Sequence, residues 1–327
     1  MKEFRKHLTG PGARALCALV LVLALGCMHS AKGTFYKAGT HRDTLRQASV
    51  YGLLAVGMTM VIVTGGIDLS VGSVLAVCAV SFSLFSIHWG WSAYLSIGAT
   101  LLIGLACGTV SGSLTAVLRI QPFIATLAMM VFARGFAKFI SDGKKVSTSV
   151  LQNDETYKFV ELPEIFGMID RKIWGDSINV VTVIFLVCLA IAWVILSRHK
   201  FGRSLYAIGG SEEAARLSGV PVRLYKTLSY SFCGLCAAIA GICQAAQETQ
   251  GDPETGSGYE LSAIAMVVIG GTSLAGGRGG MGLTLIGVLT IGYLEKILSL
   301  NAAPESGRLM LTGAIIICAV LAQRQKR

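Results

Sequence analysis

The chain has 327 residues, 53% of them hydrophobic and only 14% charged, with a net charge of +10. Soluble proteins carry roughly 25% charged residues, so this deficit, with a mean hydropathy of +0.65, excludes an ordinary water-soluble globule and points to a polytopic membrane protein. The positive charge is not one patch but sits in short segments between apolar runs, as the positive-inside bias expects, which argues against a nucleic-acid partner.

Residues 1–14 carry Lys2, Arg5, Lys6 and Arg14 against Glu3 and form a basic, cytoplasmic N-terminus. The apolar run 15–28 resembles a signal-peptide core, and Leu25-Gly26-Cys27 faintly resembles a lipoprotein cleavage site; the run reads as a retained first helix. Residues 32–46 are polar and external. Runs 47–64 and 69–88 are the second and third spans, and His88-Trp89-Gly90-Trp91 places an aromatic pair at an interface. The fourth span covers 93–118. Arg119-Ile120-Gln121-Pro122 is a short break, with Pro122 suited to a helix start. The fifth span, 123–140, holds Arg134 and Lys138 near its outer end, where long side chains reach polar surroundings.

The polar segment 141–177 holds Asp142, Asp154, Glu155, Glu161, Glu164, Asp170 and Asp176 against Lys144, Lys145, Lys158, Arg171 and Lys172. This mixed, slightly acidic loop suits the external side, and a sixth span, 178–196, follows. The loop 197–226 is basic, with Arg198, Lys200, Arg203, Arg216, Arg223 and Lys226 against Glu212 and Glu213, and belongs in the cytoplasm. The seventh span is 227–246, and 248–260 is acidic and external. The eighth run, 261–274, is short for a full crossing, which leaves a re-entrant segment open. Ala275-Gly276-Gly277-Arg278-Gly279-Gly280 is a positive turn. Runs 283–299 and 309–322 complete the set before the tail 323–327, with Arg324, Lys326 and Arg327. Ten spans from a cytoplasmic N-terminus put the basic segments inside and both acidic loops outside. The predicted fold class is an all-α polytopic membrane protein of about ten transmembrane helices. Both termini are cytoplasmic, and 1–327 is one membrane domain without a soluble part.

The nine cysteines lie in or beside apolar runs. Cys233-Gly-Leu-Cys236 has CxxC spacing but no second pair or nearby His, so these residues read as small apolar fillers rather than a metal or redox site. No histidine is assigned as a ligand.

Two stretches carry the chemistry. In Thr64-Gly65-Gly66-Ile67-Asp68-Leu69-Ser70, Asp68 is the only acid between Arg46 and Asp142. A carboxylate in such surroundings is costly unless paired, hydrogen-bonded or facing water. The two glycines permit a sharp turn, and Asp68 reads as the N-cap of a new helix. A capped turn and a polar point on a substrate path both fit. In the second stretch, Gly209-Gly210-Ser211 gives a turn and an N-cap. Glu212 and Glu213 fill the first helical turn, Ala214 and Ala215 leave a smooth surface, Arg216 follows, and Gly219 ends a helix of about two turns.

Glu213-Ala214-Ala215 with Gly219 resembles the EAA-x-x-x-G coupling loop of ABC-importer permeases. The wider pattern is similar to the monosaccharide permease family, with ribose, arabinose, xylose and autoinducer-2 members. Its other blocks are Thr64 to Gly72; Gln121-Pro122-Phe123-Ile124-Ala125-Thr126-Leu127 with Arg134-Gly135; and Val268 to Gly279, which holds Gly270, Gly271 and Thr272. The resemblance implies a bacterial inner-membrane permease of an ATP-driven importer. A separate ABC ATPase would dock on Gly209, Gly210, Glu212, Glu213, Ala214, Ala215, Arg216 and Gly219. A periplasmic or secreted sugar-binding protein would deliver substrate, and a second permease copy, identical or paralogous, would line the path. Candidate path residues are Thr64, Gly65, Gly66, Asp68, Ser70, Gln121, Thr126, Gly270, Gly271 and Thr272. ATP would be used by the partner alone, for this chain has no GxxxxGK[ST] sequence and binds no cofactor of its own. Where family members commonly show Leu-Asn-Asn, this chain has Leu294-Glu295-Lys296. The alternative is a stand-alone ion-coupled secondary transporter using Asp68 and Glu295. A membrane enzyme is the more distant one, since no nucleophile, base or paired carboxylates stand together in the sequence.

Overall fold

The computed structural model describes residues 10–29, 32–151 and 156–304 and, toward the C-terminus, 306–308, 310, 311, 313, 314 and 317. The expected tenth span, 309–322, lies largely outside the described residues. So do the tail 323–327, the N-terminal Lys2, Glu3, Arg5 and Lys6, and the loop acids Asp154 and Glu155. The helices are α1 (Pro11–Met28), α2 (Ala38–Val63), α3 (Val71–Ser83, continued by a wider turn over Leu84–His88), α4 (Ala93–Ala116), α5 (Pro122–Ile140), α6 (Glu164–Ile169), α7 (Val180–Arg198), α8 (Lys200–Gly210), α9 (Glu212–Leu217), α10 (Val222–Glu248), α11 (Tyr259–Gly270) and α12 (Met281–Leu300). Two short antiparallel hairpins, β1 (Ser149–Leu151) with β2 (Tyr157–Phe159) and β3 (Lys172–Ile173) with β4 (Ile178–Asn179), decorate the polar segment before α7.

Among the described residues, α2, α3 with its continuation, α4, α5, α7, α10 and α12 are long and apolar enough to cross a membrane. The apolar helices α1 and α11 are shorter. The protein is thus an all-α polytopic membrane protein. Two boundaries differ from the sequence expectation. Helix α2 begins at Ala38, inside the polar stretch 32–46. Thr40 Oγ1 there donates to Thr34 O at 2.7 Å, and His41 packs edge-on against Phe35, so polar residues build a helical extension. The loop 197–226 holds two helices, α8 and α9, where sequence pattern indicated one.

The chain forms two compact units. The first comprises residues 1–65, 185–220 and 261–327. From Val50 on, its helix α2 is largely apolar all round and has Leu53, Leu54, Met58, Met60 and Ile62 fully buried, as an all-round apolar stretch requires. Lipid tails are as apolar as leucine, so close packing has to hold such helices together. Phe185 fills the space a side chain at Gly52 would occupy. Thr59 and Thr284 share a buried hydrogen bond of 2.7 Å.

The second unit comprises residues 66–184 and 221–260. Gly104, Gly108 and Gly112, one α4 face at four-residue spacing, lie against Gly234, the Tyr230 carbonyl and Thr227 of α10. This small-residue seam lets the two backbones meet. Phe82 of α3 stacks on Phe166 of α6 at 5.0 Å. Phe123, Val131, Phe132 and Phe139 of α5 remain exposed, an apolar face suited to lipid.

Candidate functional site

The expected coupling helix is α9. Ser211 caps it, accepting a hydrogen bond from Ala214 N at 3.3 Å. Glu212 and Glu213 occupy its first turn, where carboxylates complement the helix dipole. Gly219 follows in the left-handed region at φ +80°. Ala215 is buried, whereas Leu217 is 79% exposed, and the Glu213 side chain is also largely exposed. Ser211 also ends α8, donating its N–H to Ala207 O at 3.1 Å, so a single residue joins the two helices.

Helix α8 buries Gly202, Leu205 and Ile208 and is fastened at its far end to backbone. The last carbonyls of a helix lack intrahelical partners. That of Val63, at the end of α2, accepts from Gly277 N at 2.9 Å. Gly209 of α8 lies directly on this bond: a Cβ there would collide with Val63 O and Gly277 N, neither of which can rotate aside. Gly276 presses on Gly65 N and Gly209 from the other side. Tyr206 Oη donates to Gly279 O at 2.9 Å. Burial pushes its phenol up from the usual tyrosine range, so it stays a donor at physiological pH. A cavity of about 310 Å³ opens beside Tyr206, lined also by Trp193, Leu196 and Met281. The coupling stretch, the end of α2 and the Gly-rich turn after α11 therefore meet at one joint.

Asp68 belongs to the second unit and is 1% exposed. It is not the N-cap the sequence suggested; that position is Ser70. Asp68 Oδ1 instead accepts from Ser70 N at 2.9 Å and Ser70 Oγ at 2.6 Å. Asp side chains readily bond the backbone two residues on, and here this link takes the place of a direct cap. The Cys233 thiol stands beside the carboxylate. Tyr230, fully buried, donates to Ile67 O at 3.4 Å. Among the described residues no ion pair reaches Asp68. Hydrogen bonds thus replace water around the charge. The arrangement accepts hydrogen bonds at one buried carboxylate oxygen.

The candidate path residues fall into two groups. Thr64, Gly65, Gly270, Gly271 and Thr272 belong to the first unit, and Gly66, Asp68, Ser70, Gln121 and Thr126 to the second. Gly65 is part of the joint. Gly270 packs α11 onto Leu283 O of α12. Thr64 Oγ1 turns back to Val61 O at 2.7 Å, and Thr126 Oγ1 bonds Pro122 O at 2.9 Å. Thr272 is buried, and Gln121 is exposed at the start of α5. Sequence reasoning missed Tyr206 and Val63 at the joint, and Tyr230 and Cys233 beside Asp68. A tyrosine within an apolar run was the available signal for Tyr230; nothing local marked Val63.

A family model described as branched-chain amino acid transport system / permease component matches residues 42–320. The ribose import permease protein RbsC of Escherichia coli K12 is 38% identical over 315 residues, covering 96% of this chain and 94% of that protein. The L-arabinose transport system permease protein AraH of the same strain is 38% identical over 279 residues, covering 85% and 80%. The fructose import permease protein FruG of Bifidobacterium longum is 35% identical over 316 residues, covering 96% and 90%. No solved structure matches the chain. By these matches the chain belongs to the family of transport-system permease components, together with the monosaccharide permeases that its four sequence blocks resemble.

Proposed function

We propose that this chain is the membrane-spanning permease subunit of an ATP-driven ABC importer for a monosaccharide or similar small polar sugar. The observation that carries the coupling is the joint. Exposed α9 offers Glu213 and Leu217 to a partner, while α8, joined to it through Ser211, is seated on the ends of α2 and of the turn after α11. A separate ABC ATPase docks on α9 and alone uses ATP. A push on α9 passes through α8 to backbone rather than being absorbed by side chains. Alternating access then follows from two arrangements of the helices around Asp68 and Gly270, biased by the ATPase. A periplasmic or secreted sugar-binding protein delivers substrate, and a second permease copy completes the path in the bacterial cytoplasmic membrane. The family model's description speaks of branched-chain amino acids. The relatives matching most of the chain are named for sugars, which supports the sugar reading.

Glu213→Arg tests the coupling role. The variant should insert in the membrane at wild-type level yet lose uptake at least about tenfold, along with recovery of the ATPase on purification. Wild-type uptake by the variant overturns the assignment. The alternative, an ion-coupled secondary transporter, draws on the buried carboxylate of Asp68. Uptake that persists under an uncoupler while ATP is maintained supports the importer, and collapse of uptake supports the alternative.

A further inference from the structure

The connection from α10 to α11 is no tight turn. After α10 the chain runs back along α3: Gly251 lies against Ala79, Val80 and Ser83, and Gly256 against Gly72 and Leu75. Between these points it passes the α3 residues from Val80 back to Gly72, about 12 Å of helix at 1.5 Å per residue. On its other flank α5 laces it. Arg134 Nη1 donates to Pro253 O at 2.5 Å and to Thr255 O at 2.7 Å. Lys138, one turn on from Arg134, pairs with Glu254 at 2.5 Å. Lys145, in the segment after α5, pairs with Asp252 at 3.1 Å. Gly251 and Val146 exchange two backbone hydrogen bonds of 2.8 Å.

The two edges of this segment are unlike. Against α3 the two glycines meet mostly helix backbone, with Ser83 Cβ and Leu75 Cδ2 the side-chain atoms beside them. Against α5 the fastenings are polar, and the side chains of Lys138 and Glu254 are 46% and 64% exposed, so water can take over either partner. The segment begins at Thr249 with φ 55° and ends near Gly256 and Gly258 with φ +74° and +80°, turn conformations that bracket a short run. A smooth edge, an ionic edge and a turn at each end are the features of a piece that lifts as a unit.

We propose that residues 249–258 form an outer strap, fastened to α5 by Arg134 and Lys138 and to the segment after α5 by Lys145, that has to release for sugar to pass. This rests on the importer reading and on the acidic segment 248–260 facing outside. The test is a removable lock. Val146 and Gly251 are antiparallel partners, so Lys145 and Asp252 stand opposite each other in the same register, suited to a disulfide. The Lys145→Cys, Asp252→Cys double variant, assembled with its ATPase and binding protein, is oxidised, and the bond is verified by peptide mass. Uptake of labelled ribose, arabinose and fructose is then measured. Oxidation should cut uptake at least about tenfold, a reductant should restore it, and ATPase co-purification should not change. If the pair does not accumulate in the membrane, Ser147→Cys with Gln250→Cys, opposed on the other side of Val146 and Gly251, serves in its place. Equal uptake by the locked and reduced forms overturns the strap alone. A wild-type complex that takes up none of the three sugars overturns the sugar reading and the strap's role with it.

Discussion

The α8 joint and the 249–258 strap are both polar places in an apolar protein, and they are held in opposite ways. At the joint, glycine lets backbone rest on backbone, and the Val63–Gly277 hydrogen bond lies directly under Gly209. The strap is held to α5 and the segment after it largely by charged side chains, two of its pairs partly open to water. Backbone contacts at van der Waals distance have no soft degree of freedom, so they pass displacement on. Exposed ion pairs trade easily for hydration and are worth little each. One region is built to transmit and the other to let go.

The contrast is sharpest at Gly209. Gly209→Val forces side-chain volume between Val63 O and Gly277 N, and overpacking of this kind costs about 1–3 kcal/mol. Uptake should fall to under about a tenth of wild type while the ATPase still co-purifies, because α9 is untouched. Wild-type uptake would show that the joint transmits nothing. Arg134→Gln is the next largest. It withdraws the donor from two strap carbonyls, and an unmet buried acceptor costs about 1–3 kcal/mol. The half-buried site puts the effect at the lower end. Amide hydrogen exchange should rise about tenfold across 251–258 and stay unchanged across 273–279; equal rises in both segments would erase the distinction. Lys138→Ala should do least. It removes an exposed ion pair worth about 0–1 kcal/mol, so strap exchange should rise by less than about fivefold. Raising salt toward 1 M, where screening reaches within about 3 Å, should mimic it. An effect of Lys138→Ala exceeding that of Arg134→Gln would mean that the ions rather than the carbonyl contacts fasten the strap.

Much of this was readable in the chain because some signals are local. The cap at Ser211, the acids after it and the left-handed Gly219 lie within nine residues, and α9 formed where they pointed. The short eighth run likewise became the 12-residue α11. Other features answer to distant partners. Hydropathy ended the external stretch at Arg46, yet α2 starts at Ala38, because its polar first turns are secured by Thr34, Phe35 and Tyr293. Asp68 was recognised as needing partners, but its geometry, accepting from Ser70 rather than capping the helix itself, depends on one backbone turn that composition does not specify. The joint was out of reach, since Val63, Gly209 and Gly277 are brought together only by the tertiary fold.

The division of the chain into two interleaved units also sets a schedule for biogenesis. The partner that Thr59 meets in α12, Thr284, is 225 residues further along. At the usual elongation of about 5–20 residues per second, roughly 10 to 45 seconds separate their synthesis. During that interval α2 has none of the α12 surface it finally packs against, whereas α3, α4 and α5 need only α10 to complete the core of their unit. A chain truncated near residue 260 and released from the ribosome should therefore already resist protease within 66–184 and 221–260 while α2 remains open to lipid, insertase or chaperone.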